Sequence, residues 1–158
     1  MSDRKLAIDN HRQDDYRPRV LRTHDYGKTW IEIDAGLPAH TFVGVVRADP
    51  VKSGLLSAGT AAGVFVSFDD GANRQSLQLT MPGTSVRDFQ SYGYVLNVGT
   101  HGRGIGVIDD IGALRQMTPD VISDDVHLFT PSDATYFSQG GDNGTPTQKD
   151  EPQAENPP

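Results

Sequence analysis

The sequence predicts an all-β protein made of repeated four-stranded antiparallel sheets, and two observations support this prediction. A polar pattern, Ser/Thr-x-Asp-x-Gly, occurs twice at an interval of 44 residues, within residues 23–30 and 67–74. A short apolar segment that ends in Gly-Thr recurs at an interval of 40 residues, in residues 55–60 and 95–100. Repeats of this length indicate stacked supersecondary units. Four short strands per repeat are typical of a β-propeller blade.

The middle unit gives the clearest succession of strands. Its apolar segments predict strands at residues 43–47, 55–59, 63–67 and 75–79. Asp69-Asp70-Gly71 predicts a tight turn before the fourth strand, because Asp accepts backbone hydrogen bonds and Gly adopts positive φ. Short strands separated by such turns also occur in β-sandwiches. The repetition of whole units favours the propeller.

The flanking units keep part of this pattern. Residues 6–8 and 19–23 fill the second and third strand positions of the first unit, which is expected to lack an innermost strand. The third unit repeats the strands at residues 95–100 and 104–110 but lacks the complete polar pattern. The sequence therefore predicts about three blades of an incomplete propeller. The expected units are residues 1–36, 37–82 and 83–118.

The chain after the third unit is expected to close the fold and then to lose order. Asp109-Asp110 is expected to cap a short helical turn or closing segment rather than to bind a metal. Residues 126–129 predict one more strand within an exit segment, residues 119–137. Residues 138–158 contain Gly, Pro and acidic residues with almost no apolar side chain. Such a segment buries too little surface to offset its ordering entropy, so it is predicted to be a disordered linker.

Composition excludes some functional classes and leaves others open. The net charge of −7 belongs to the tail, because residues 1–118 hold 13 acidic and 13 basic residues. The lack of a basic surplus argues against a nucleic-acid partner. No stretch approaches the length of a membrane span, so no membrane partner is expected. No cofactor is indicated, and no secretory signal is visible.

Both polar patterns resemble the Asp-box, or BNR repeat, of sialidase-like and sortilin-like β-propellers. The first copy matches through Thr29-Trp30, whereas the second ends in Asn73-Arg74. A wider resemblance, to bacterial BNR-repeat glycosyl hydrolases or sortilin N-terminal-like proteins, runs from about residue 6 to residue 158. It is carried by residues 14–18, 26–30, 36–38, 45–50, 63–71, 100–104 and 109–116.

The resemblance implies a C-terminal propeller piece of a longer, exported, periplasmic or extracellular protein. It implies glycosidic bond hydrolysis in the intact protein, or alternatively a non-catalytic, sortilin-like propeller that binds ligands or proteins. The implied partners are a carbohydrate or peptide ligand and the remaining blades of the parent propeller. The fragment alone is expected to be inactive.

The Asp-box residues are interpreted as structural, because their carboxylates are suited to locking a turn. A calcium loop would need more oxygen ligands than this turn offers, and no metal site is predicted. Trp30 is expected to bury its ring between neighbouring strands. The structural set is Thr23, Asp25, Gly27, Trp30, Ser67, Asp69 and Gly71.

Strand parity places the candidate ligand site at the end of the sheets opposite the Asp-boxes, in the loops between second and third strands. Asp14 and Asp15 are the candidate catalytic acid or base. The candidate ligand-binding residues are His11, Arg17, His101 and Arg103. In the alternative interpretation, Asp15 pairs with Arg17 within its loop and Arg103 binds carbonyls of the next blade. Glycoside hydrolysis normally needs two carboxylates, and the only glutamates are Glu32, Glu151 and Glu155.

Overall fold

The computed structural model describes residues 3–77, 79 and 81–133. The all-β prediction is confirmed, because these residues form three antiparallel sheets with only short helices and without a closed barrel. The three sheets contain three, four and three strands in chain order. Each of the three predicted units contains one of them. None of the helices in this part of the chain has the length and apolar character needed to cross a bilayer.

The strands are short and are joined mostly by hairpins. Sheet 1 contains β1 (Arg4–Ala7), β2 (Val20–Thr23) and β3 (Ile31–Glu32). Sheet 2 contains β4 (Val43–Ala48), β5 (Leu56–Thr60), β6 (Gly63–Ser67) and β7 (Gln75–Ser76). Sheet 3 contains β8 (Val86–Tyr92), β9 (Val95–Thr100) and β10 (Ile105–Ile108). Two helices follow, α1 (Gly112–Gln116) and α2 (Pro119–Ser123).

The strand register separates the connections into two ends, as strand parity predicts. The hairpins between second and third strands lie at one end, which we call the loop face: residues 8–19, 61–62 and 101–104. The turns of the two Ser/Thr-x-Asp-x-Gly patterns, for which we keep the label Asp-box, lie at the other end, the box end. A hydrogen bond from Asp70 N to Gly54 O (2.9 Å) joins the second box to the preceding hairpin at that end.

Sheet 2 lies between the other two sheets and contributes to both apolar clusters. One cluster packs Val20 and Ile33 of the first unit against sheet 2. The other packs Val64 and Val66 of sheet 2 against sheet 3, including Phe89. The β-branched residues that favour extended backbone therefore also form the contacts between neighbouring sheets.

Strand β4 serves both clusters because its two faces pack against different sheets, and a β-bulge near its start changes which residues lie on which face. The register shifts between Val43, which pairs with Thr60, and Val45, which pairs with Gly59. Because the extra residue interrupts the alternation of side chains, Val43 belongs to the cluster with sheet 1 and Val45 to the cluster with sheet 3.

Two strand predictions are wrong in detail. The fourth strand of the middle unit, predicted at residues 75–79, ends at Ser76, and Leu79 has a φ of 46° that extended backbone does not adopt. Residues 126–129 form no strand, and Val126 and Leu128 are exposed.

The segment after sheet 3 is helical rather than extended. Ile111, rather than the predicted Asp110, is the N-cap residue of α1, but Asp110 Oδ1 accepts the N–H of Gly112 in the first turn at 2.6 Å. Gln116 then ties the later chain back to α1 through two hydrogen bonds with the backbone of Thr130, of 2.8 and 2.9 Å. The predicted linker, residues 138–158, lies outside the described residues.

Candidate ligand-binding face

The first Asp-box is a turn held by its own side chains. The Asp25 carboxylate accepts the backbone N–H of Thr29 (2.8 Å) and its hydroxyl (2.7 Å). The Thr23 hydroxyl donates to Asp25 (2.8 Å) and accepts the N–H of Gly27 (2.9 Å). These bonds, above all those from Thr29, lower the pKa of Asp25 to about 2. The carboxylate is therefore a fixed anion that locks the turn.

The second Asp-box repeats this geometry with different residues. Asp69 accepts the backbone N–H of Asn73 (2.8 Å) and its side-chain amide (2.7 Å). The Ser67 hydroxyl donates to Asp69 (2.8 Å) and accepts the N–H of Gly71 (2.8 Å). Asn73 thus replaces the threonine of the first box without the loss of a hydrogen bond.

The aromatic position of the box behaves differently from the prediction. Trp30 does not bury its ring between strands: it is 42% exposed, and its Nε1 donates to Gly27 O of its own turn (3.1 Å). The equivalent Arg74 is buried against sheet 1. Its guanidinium donates to Ile33 O and to Gly71 O. The prediction fails because no neighbouring sheet among the described residues covers the side of sheet 1 on which Trp30 lies.

An ion network joins sheets 1 and 2 beside the second box. Asp70 forms ion pairs with Lys5 (2.8 Å) and Arg22 (2.6 Å). Asp3 and His24 also bring ligand atoms within 4.8 Å of Asp70. Because two cations already neutralise Asp70, this cluster acts as a link between sheets rather than as a metal site.

In the first loop of the loop face, the acidic and basic candidates bind one another. Arg17 donates to both carboxylate oxygens of Asp15 (2.8 and 2.9 Å), and Arg19 donates to one (3.3 Å). The hydrogen bonds from Arg17 hold the pKa of Asp15 well below its usual range. The predicted alternative, an Asp15–Arg17 pair within the loop, is present. Asp14 is exposed and has left-handed backbone, with a φ of 63°.

The first loop also contacts the middle unit through an aromatic stack. The rings of His11 and Phe42 are stacked with centroids 4.4 Å apart, and the guanidinium of Arg87 lies 5.9 Å from the Phe42 centroid. Asp9 Oδ1 and His11 Nδ1 lie 2.5 Å apart. His11 is therefore held between a carboxylate and a ring, and it ties the first loop to the starts of β4 and β8.

The second and third loops are held by equivalent backbone bonds. Ala61 N donates to Phe42 O (3.1 Å), and His101 N donates to Ser85 O (2.8 Å). The Arg103 side chain is exposed and lies at a cleft of about 190 Å³ between sheets 2 and 3, which Val64 and Val98 also line. Arg103 binds no carbonyl of a neighbouring sheet among the described residues, so the predicted alternative for it is not observed.

The structure thus brings the predicted residues to one end of the molecule but divides them by role. His11, Asp15 and Arg17 are engaged in contacts within the protein. In the three loops of the loop face, the exposed polar side chains that make no hydrogen bond, ion pair or ring contact with another described residue are those of Arg12, Gln13, Asp14, Tyr16, His101 and Arg103. The part of Phe42 and Arg87 in the contacts of the first loop was not predicted from the sequence. The signal available for Phe42 was its place directly before the first strand of its unit.

No protein-family model matches this chain, and a search of the curated proteins finds no match either. The resemblance to Asp-box propellers therefore depends on the sequence motifs.

Proposed function

We propose that the chain is part of an Asp-box β-propeller that binds a carbohydrate with its loop face. The observation that carries this proposal is the contrast between the two ends of the sheets. At the box end, Asp25 and Asp69 use their carboxylates within their own turns. At the loop face, Arg12, Asp14 and Arg103 are exposed and have no partner among the described residues.

The chemistry of the free side chains suits a hydroxylated ligand. Guanidinium groups donate several hydrogen bonds in a fixed geometry, as sugar hydroxyls and acidic substituents require. Asp14 is a complementary acceptor, and the half-exposed ring of Tyr16 offers an apolar surface. Three sheets that stack face to face in chain order support the propeller part of the proposal.

Binding is favoured over hydrolysis by the state of the carboxylates. Glycoside hydrolysis normally uses one carboxyl group as acid and another as nucleophile or base. Asp15 is held by two arginines, and its lowered pKa makes it a poor proton donor or acceptor near neutral pH. Asp14 alone remains free in the first loop. Catalysis by Asp14 or Asp15 stays a prediction.

The test is binding of the intact chain to an array of neutral and acidic oligosaccharides and to a peptide library. We expect Arg103→Ala and Arg12→Ala each to weaken glycan binding several-fold, because each removes a free donor set. Lys28→Ala is the matched control, since Lys28 is an exposed cation at the box end. Equal weakening by Lys28→Ala, or glycan binding unchanged by both arginine variants, would contradict the proposal.

Two further outcomes separate the alternatives. Binding of peptides but not of glycans would replace the carbohydrate with a peptide ligand at the same face. Release of reducing sugar by the wild type, lost in Asp14→Asn and retained in Lys28→Ala, would establish hydrolysis instead of binding.

A further inference from the structure

Sheets 1 and 3 each expose one face to solvent. The equivalent face of another sheet in the molecule is covered by its neighbouring sheet. The third-position strands of the three sheets are β2, β6 and β10. Val20, Val64 and Ile105 are equivalent, since each lies three residues before the last residue of its strand. Val20 and Val64 are 0% and 1% exposed beneath the next sheet, whereas Ile105 is 73% exposed. Val66 and Val107 repeat the comparison, since the first is buried and the second exposed. We call the outward side of sheet 3 the trailing face.

Sheet 1 exposes its opposite face, whose equivalent in sheet 2 is buried against sheet 1. Leu6 pairs with Leu21 just as Ala58 pairs with Phe65, so Leu6 and Ala58 are equivalent. Ala58 is fully buried against sheet 1, whereas Leu6 is exposed. Trp30 is likewise exposed where its equivalent Arg74 is buried. We call this outward side of sheet 1 the leading face.

We propose that copies of this chain associate head to tail, with the leading face of one copy packed on the trailing face of another. Such a contact continues the stacking already present between sheets 1 and 2 and between sheets 2 and 3. It is heterologous, since the two faces are different surfaces of the chain. It covers apolar side chains that are otherwise in water.

The side chains at the new junction match in character. Tyr26, Asp70 and Ile111 are equivalent, because each follows the end of the third-position strand of its sheet by three residues. Asp70 meets Arg22 of the preceding sheet, and Ile111 shares an apolar cluster with Val66. Head-to-tail stacking would bring Tyr26 to Val107, which is again an apolar combination.

The charges at the two faces are also complementary. Arg4 pairs with the last residue of β2 and lies beside Leu6 on the leading face, at the box end. Asp109 follows Val107 by two residues at the same end of the trailing face. Both side chains are exposed and make no ion pair with other described residues. Opposite charges at one end of the two faces favour a single orientation of the contact.

The test is the mass of the full chain in solution, measured by light scattering across a wide range of concentration. We expect species larger than a monomer that dissociate on dilution, as mass action requires. Val107→Lys on the trailing face and Leu6→Lys on the leading face should each give a monomer. Val51→Lys is the control, because Val51 is exposed in the β4–β5 turn and belongs to neither face.

Mixing the two monomeric variants identifies the arrangement. Each variant retains the face that the other has lost, so the mixture should form a dimer of one copy of each, joined by a single junction. Association of Val107→Lys alone would indicate contact between two leading faces and overturn the head-to-tail arrangement. A wild type that stays monomeric at every concentration would overturn self-association altogether. The result is independent of glycan binding, because the arginine variants of the loop face should keep the wild-type mass.

Discussion

The most buried ion pair of the described residues, between Asp49 and Arg115, fastens sheet 2 to the helix that follows sheet 3. The exposed fractions of the two side chains are 5% and 10%. Arg115 Nη2 lies 2.9 Å from Asp49 Oδ2, and Arg115 Nε lies within 3.2 Å of both carboxylate oxygens. Asp49 also accepts the backbone N–H of Val51 and Lys52.

The replacement Asp49→Asn removes the charge but keeps one oxygen acceptor. Breaking one partner of a buried ion pair typically costs about 3–5 kcal/mol. The remaining bond from Arg115 to Gly93 O (2.7 Å) partly satisfies the guanidinium, so we expect the lower end, about 3 kcal/mol. For a chain of this size, that corresponds to a fall in Tm of about 10 °C.

Urea denaturation at neutral pH measures the free energy of unfolding, with Asp88→Asn as the matched control. Asp88 and Arg47 form an ion pair of similar length, 2.8 Å, but their side chains are 63% and 57% exposed. Exposed pairs contribute about 1 kcal/mol or less. Equal losses in Asp49→Asn and Asp88→Asn would refute the argument from burial.

The same pair predicts a pH dependence. Burial raises the pKa of Asp49, but the hydrogen bonds from Arg115 and the backbone outweigh it and leave the pKa lowered. A lowered folded-state pKa contributes stability that is present above the unfolded value of about 3.9 and lost as pH falls through the folded value. The difference between wild type and Asp49→Asn should therefore be constant near neutral pH and shrink in acid.

Two further predictions concern two glycines in turns and the second Asp-box. Gly36→Ala should destabilise the fold by more than about 2 kcal/mol, because φ is +80° and an added Cβ would lie 2.5 Å from Arg74 O. Gly102→Ala has a similar φ of +81° but open space around it, so it should cost only about 1 kcal/mol. Equal losses of stability in thermal unfolding of the two variants would contradict the steric argument. Asp69→Ala removes the acceptor of the Asn73 N–H (2.8 Å) and should lower the free energy of unfolding, measured by chemical denaturation, by about 1 kcal/mol. The glycan affinity should stay unchanged. A loss of glycan affinity in this variant would show that the box end takes part in binding.

The strands could be predicted from sequence where local chemistry decides the backbone. The repeat from Gly63 to Ser67 gave the third strand of sheet 2 with its observed bounds, since its β-branched residues favour extended backbone and Asp69-Asp70-Gly71 ends it. The outer strand failed at Leu79, because its polar surroundings carry no signal for where pairing stops. The exit strand was predicted wrongly at residues 126–129, because a mostly apolar tetrapeptide does not by itself specify pairing with a sheet edge; the outer edge of β10 has no strand paired to it among the described residues.

Sequence reasoning could place the candidate residues at one end of the sheets but could not predict the contacts among them. Strand parity needs only the order of the hairpins, so it placed His11 and His101 at the loop face. The stack of His11 on Phe42 joins residues 31 positions apart, and no local pattern encodes such a contact. Arg74 was recognised as a departure from the box, but its bond to Ile33 O depends on how two sheets approach each other.

The place of β4 in both apolar clusters has a consequence for how the molecule unfolds. Because Val43 and Val45 belong to different apolar clusters, neither cluster can form without sheet 2, and the outer sheets do not share a core of their own. Sheets 1 and 3 should therefore melt together with sheet 2 in one cooperative transition, although no hydrogen-bonded ladder runs from one sheet to the next. A strand of six residues thus couples the folding of the two flanking sheets.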